Sequence, residues 1–161
     1  MKVRHEHVIE APIEKVMETY AGKDFYIAKM RNSGALTVDV ITWNDSPDGK
    51  VTRKVRASEP SRIPAFLRKN DIDTFEDDSV FDPKARTLSW KVTPSIMADK
   101  FFLSGLVEFT PQGAGTKVAF NTELVVKIPL IGGKAESIGL EKTQEEVTRQ
   151  VAFLKKWIAE H

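Results

Sequence analysis

Residues 101–126 read FFLSGLVEFTPQGAGTKVAFNTELVV, and residues 140–158 read LEKTQEEVTRQVAFLKKWI. In the first stretch Phe101, Leu103, Gly105, Val107 and Phe109 fall on every second position, as do Val118, Phe120, Thr122, Leu124 and Val126. Pro111-Gln112-Gly113-Ala114-Gly115 separates the two runs. Period two on both sides of a turn-rich cluster specifies a hairpin with one apolar face. In the second stretch the period changes to helical: Leu140, Val147, Val151, Leu154 and Ile158 share one face, with charged residues opposite. The half-apolar sheet and the half-apolar helix must bury these faces, and they lie next to each other in the chain.

Upstream, the same reading gives two more hairpins. Leu36, Val38 and Val40 alternate up to Asn44-Asp45-Ser46-Pro47-Asp48-Gly49, which turns into a strand from Lys50 to Ser58. Ile72 to Phe81 and Thr87 to Thr93 flank Asp82-Pro83-Lys84-Ala85, with Leu88, Trp90 and Val92 on one face of the second run. Between these hairpins, residues 60–69 hold two prolines and the small apolar group Ile63, Ala65, Phe66 and Leu67. They read as a loop with one helical turn, placed to cover a cavity mouth. At the start of the chain, Val3, His5, His7 and Ile9 share one side of a first strand.

Ala11-Pro12 then opens a helix that stops at Gly22, and Asp24 is expected to cap a second short helix ending at Asn32-Ser33-Gly34. The expected fold is therefore α+β: a strongly curved seven-stranded antiparallel sheet wrapped around a long C-terminal helix, with two short helices after strand one. Residues 1–161 form one domain on this reading, with no repeat or linker.

Composition narrows the function. With 24 Lys and Arg against 23 Asp and Glu, the formal charge of +1 supplies no long-range attraction for nucleic acid, so no nucleic-acid partner is expected. The absence of cysteine removes thiol nucleophiles, thiolate metal sites and disulfides together. No window approaches the roughly 20 apolar residues of a spanning helix, and the first residues lack an apolar signal core. The expectation is a cytoplasmic protein without integral membrane association. No GxSxG, HExxH or GxGxxG pattern occurs, and Gly132-Gly133-Lys134 lacks the spacing and hydroxyl of a phosphate loop, so it reads as a flexible hinge before the long helix. No cofactor is expected, and the pattern fixes no oligomeric state.

Two segments carry a resemblance that covers nearly the whole chain. The run Ile9-Glu10-Ala11-Pro12-Ile13-Glu14-Lys15-Val16 resembles the opening of the START-like helix-grip superfamily, which includes polyketide cyclases, lipid-transfer domains and plant ligand-binding allergens. More specifically, Val125-Val126-Lys127-Ile128-Pro129-Leu130-Ile131-Gly132-Gly133-Lys134-Ala135-Glu136 is similar to a bacterial branch of that superfamily, domain of unknown function 2505. The resemblance implies a helix-grip fold with an apolar cavity between sheet and long helix. It supplies no catalytic residues.

Candidate site residues follow from which side chains face that helix. Alternation places Val40, Trp90, Leu103, Phe120 and Leu124 inward, opposite Val147 and Val151, where they either line a cavity or fill the core. His5 and His7 share the side of strand one that the resemblance turns inward, and a pair of imidazoles suits proton exchange near neutral pH. A zinc site wants three or four protein ligands, and no third His or Cys lies near them in sequence, so no metal is expected. Arg53, on the face of Val51, Val55 and Ala57, offers a guanidinium to a ligand carboxylate or pairs with a neighbouring acid. The acidic run Asp71, Asp73, Glu76, Asp77 and Asp78 lacks the Gly and Glu positions of a calcium loop and reads as a solvated strand face.

Three functions fit these residues. The first is binding or transport of an apolar small molecule that is lipid-like, polyketide-like or aromatic. The second is a cyclase or dehydratase using His7 or Arg53, and the third is a noncatalytic protein-interaction module.

Overall fold

Each alternating run forms a strand, and each turn-rich cluster joins two antiparallel neighbours. The computed structural model describes residues 1–161. In chain order the elements are β1 (Lys2–Ile9), α1 (Ile13–Ala21), α2 (Lys23–Asn32), β2 (Thr37–Asp45) and β3 (Val51–Pro60). They continue with β4 (Ile72–Asp82), β5 (Thr87–Pro94), β6 (Phe101–Gln112), β7 (Gly115–Val126) and α3 (Gly132–Glu160). The seven strands make one antiparallel sheet in the order β1-β7-β6-β5-β4-β3-β2. The first strand thus closes on the last, with Lys2 opposite Glu123 and Ile9 opposite Thr116.

Local chemistry explains the turns. Asp82 accepts hydrogen bonds at Oδ1 from the backbone N–H of Lys84 (3.1 Å) and Ala85 (3.2 Å), which fixes the β4–β5 connection. Gly49 and Gly113 adopt φ of 84° and 59° in the other two hairpin turns, a region open to glycine at no steric cost. At the start of α1 the expected proline sits at the cap position, Pro12, and its carbonyl accepts from Val16 N–H at 3.1 Å.

Two local expectations are corrected. Asp24 lies inside the first turn of α2 and makes no capping bond, because the helix begins one residue earlier, at Lys23. Its carboxylate still sits at the positive helix end. Gly132 is not a hinge: it starts α3 in a buried position where a Cβ would lie 2.4 Å from the Val126 carbonyl oxygen. The residue is small because the helix has to depart directly from the end of β7.

The sheet bends around α3, and the apolar stripe read from the sequence faces it. Val147, Val151 and Leu154 of α3 are buried with Val118, Phe120 and Phe109 of the sheet and with Ile13, Val16 and Tyr20 of α1. Tyr20 packs edge-on against Phe25 and Phe109, with centroids 5.5 Å and 5.0 Å apart. A second, smaller cluster of Leu124, Val126 and Ala135 lies at the other end of α3, with Leu67, Leu103 and Leu140 against it. Residues of both clusters border the candidate site.

Candidate functional site

Between α3 and the concave face lies a cavity of about 320 Å³. That is inside the roughly 300–1,000 Å³ range of small-molecule sites. Its apolar wall comes from alternate residues of three strands, among them Leu88, Trp90 and Val92 of β5, Leu103 and Val107 of β6, and Phe120 and Leu124 of β7. From α3, Gly139, Thr143 and Val147 face the same space, and Leu88, Val107, Phe120 and Val147 are shared with the main core. Trp90 owes its place to Gly105 directly opposite it in the β5–β6 register. A Cβ on Gly105 would lie 2.4 Å from the Trp90 ring and 2.5 Å from the Asn121 carbonyl oxygen, so the indole rests against bare backbone.

One end of the cavity is polar. Tyr26 of α2 donates to Asp77 Oδ2 of β4 at 2.6 Å. Arg53 of β3, only 2% exposed, donates from Nε to Ser79 Oγ (2.8 Å) and from Nη1 to the Tyr20 carbonyl (2.9 Å). Its guanidinium also lies over the rings of Tyr26 and Trp43, at 5.1 Å and 4.9 Å from their centroids. These contacts hold Arg53 by its plane as well as by its charge, a geometry that lysine does not reproduce.

Lys29 of α2 lines the same end, with Nζ 5.2 Å from the Tyr26 ring centroid. Burial pulls the Lys29 ammonium down to about 8; Arg53 adds to this, whereas Asp77 and Glu146 oppose it. Burial pushes the Asp77 carboxyl up despite the Tyr26 hydrogen bond and the two cations. The phenols of Tyr20 and Tyr26 are pushed up as well, chiefly by burial; Tyr26 donates to Asp77, and the Tyr20 hydroxyl is buried without a partner.

The mouth is latched through Arg62. Its side chain reaches Glu59 (3.1 Å) and Glu146 of α3 (3.2 Å), and donates from Nη2 to the Ser33 carbonyl at the end of α2 (2.9 Å). Lys142 Nζ donates back to the Arg62 carbonyl at 3.0 Å, and Ser33 Oγ is hydrogen-bonded to Glu146. Ile63 and Pro64 of this segment line the cavity, and Leu67 and Arg68 N–H close one helical turn on the Pro64 carbonyl.

Of the residues proposed from sequence, Arg53, Trp90, Leu103, Phe120, Leu124 and Val147 are brought together around the cavity. The others stand elsewhere. His5 and His7 face inward on β1, beyond β7, where His5 Nε2 is buried without a partner and His7 packs edge-on against Phe120 at 6.2 Å. Burial, aided by His5 and Lys155, lowers the His7 pKa. Val40 is half-buried on the edge strand β2, next to a register shift between Val40 and Thr42, and Val151 sits in the main core one turn beyond Val147.

Tyr26, Lys29, Asp77 and Ser79 were missed by sequence reasoning. Read as one solvated face, the acidic run conceals a split: Glu76 pairs outward with Arg56 (2.8 Å), and Asp78 with Lys54 (3.6 Å), whereas Asp73 and Asp77 line the cavity. The signal that separates them is parity. Asp73 and Asp77 share positions with Phe75, Ser79 and Phe81, which belong to the inner face.

The sequence pattern of the family described as Protein of unknown function (DUF2505) matches residues 4–158. The chain belongs to the DUF2505 family. No curated protein matches the DUF2505 chain. Among solved structures, it is similar to an aromatase/cyclase from a Streptomyces species, with a TM-score of 0.72 and 14% identity over 99% of this chain and 93% of that one. The norcoclaurine synthase of Thalictrum flavum gives a TM-score of 0.71 at 13% identity, over 100% of this chain and 87% of the synthase. A START superfamily protein from Mycobacterium smegmatis gives 0.67 at 14% identity, over 99% and 97% of the two chains. At these identities the likeness establishes the fold, which is the helix-grip fold. No helix is long and apolar enough to cross a membrane.

Proposed function

We propose that this DUF2505 protein binds an apolar small molecule in the cavity between its sheet and α3. The observation that carries the reading is a space of about 320 Å³ in a chain whose remaining inner-face side chains pack into continuous clusters. A void lined by Trp90, Leu103, Phe120 and Leu124 forfeits dispersion contacts that a ligand restores. A few polar groups at one end supply orientation, the usual division of labour in small-molecule sites. The solved norcoclaurine synthase holds dopamine and hydroxybenzaldehyde, so this fold has room for small aromatic molecules in at least that protein.

Native mass spectrometry of freshly purified protein, followed by denaturation to release and identify what it carries, tests the proposal. A retained apolar compound is the expected result. A chain that carries none, and whose tryptophan fluorescence responds to no apolar probe, would contradict it.

A further inference from the structure

The polar end of the cavity has an imbalance of hydrogen-bonding groups. Its acceptors are engaged: Asp77 Oδ2 by Tyr26, Ser79 Oγ by Arg53, Asp73 Oδ2 by the Arg62 N–H, Glu59 by Arg62, and Glu146 at the mouth by Arg62 and Arg149. Asp77 Oδ1 is unpartnered but sealed in the wall. Two cationic donors are not committed. Arg53 spends Nε and Nη1 on Ser79 and the Tyr20 carbonyl, which leaves Nη2 without an acceptor. Lys29 Nζ has neither a hydrogen bond nor an ion pair, although it lines the same end of the cavity.

Resting on the binding proposed above, we infer that the natural ligand is an apolar molecule with an anionic head, a carboxylate or its equivalent, received by Arg53 Nη2 and Lys29 Nζ. Two uncommitted donors of like charge beside an apolar space need acceptor atoms, and a head with negative charge supplies them while relieving the repulsion between the cations. Arg53 is pre-positioned by Tyr26 and Trp43, so little ordering is left for the ligand to impose. Asp77 is the acid nearest the two cations, but its Oδ2 is taken by Tyr26 and its Oδ1 is sealed in the wall, so neither oxygen pairs with Arg53 or Lys29.

The titratable and charged groups that face Lys29 are Tyr26 on its own helix, Arg53 on β3, Asp77 on β4 and Glu146 on α3. Burial brings the Lys29 ammonium down to about 8. Affinity for an anionic head should therefore decline as pH rises through that value, and affinity for a neutral head should stay level.

The deciding experiment is calorimetric titration of the intact protein with decanoate and with 1-decanol, ligands of one chain length and different head. The inference expects decanoate to bind at least about tenfold tighter at pH 7, a difference of about 1.4 kcal/mol. It further expects Lys29→Met to remove most of that preference, Lys29→Arg to retain it, and the wild-type preference to shrink above pH 8. Equal affinity for both ligands would overturn the anionic head and leave the cavity reading standing. Binding of neither would overturn the inference, and the cavity reading falls with it where the protein also retains no compound and responds to no other apolar probe.

Discussion

At the scale of single residues, the cavity depends on what is absent at Gly105. The Trp90 indole occupies the volume of the missing side chain, and the Asn121 carbonyl closes the other side at 2.5 Å from where a Cβ would stand. Because one of these neighbours is backbone, Gly105→Ala cannot be absorbed by a rotamer change alone. We predict a loss of about 1–3 kcal/mol, the usual cost of overpacking, with a shift in tryptophan emission as Trp90 is displaced. Urea denaturation followed by fluorescence checks both, and an unchanged midpoint would show that the sheet yields there. Inner positions were legible at this scale wherever alternation was clean, as at Leu103, Phe120 and Leu124. Asp77 was not, because its neighbours Glu76 and Asp78 have the same chemistry and opposite directions, and only the parity of Phe75 and Phe81 tells them apart. Lys29 was illegible for another reason: a lysine on a short helix turns toward a cavity only through the way that helix docks.

Among the elements, the segment between β3 and β4 is held chiefly by polar contacts. Arg62 joins it to α2 through the Ser33 carbonyl and to α3 through Glu146, and its own carbonyl accepts from Lys142. Burial raises the Glu59 pKa, and Arg62 opposes that shift, so removing Arg62 leaves Glu59 without its counter-charge. Arg62→Ala is predicted to speed amide exchange across residues 61–71 by about tenfold, equivalent to about 1.4 kcal/mol of local opening, while the amides of β7 keep their protection. Hydrogen-exchange mass spectrometry reads this directly, and unchanged exchange in that segment would assign the closure to Ile63 and Leu67 packing instead. The sequence announced this loop by its two prolines and apolar group. It did not announce the latch, whose partners lie 29 and 84 residues away in the chain.

For the whole molecule, one half-buried cation, Lys29, sets a pH dependence. Lys29 titrates at about 8 when folded, against 10.5 for an unperturbed lysine, so between these values the unfolded chain binds more protons. Stability should then rise with pH across that window as the folded state is relieved of a desolvated charge. Lys29→Met lacks this term. It is expected to be more stable than wild type at pH 7, with the gap closing between about pH 8 and 10.5, as measured by urea midpoints at pH 7, 9 and 10.5. A gap independent of pH would place the lysine in water. Fold class, strand order by hairpins and the long helix were all legible from periodicity, because each element must hide one face. The pairing of β1 with β7 was not legible, since no local signal links strands at opposite ends of the chain.

That pairing also orders events in time. A chain synthesised from its N-terminus makes β1 first, yet the partner of β1 is the last strand, with His5 facing Phe120 in the final register. Until β7 is made, residues 2–9 have no ladder to join and α3 does not yet exist to cover the concave face. Neighbouring hairpins can zip early, but closure has to wait for contacts spanning most of the chain, the class of topology that folds in milliseconds to seconds rather than microseconds. A nascent chain that stops short of Gly115 therefore has an unpaired first strand, an open β6 edge and no binding chamber at all.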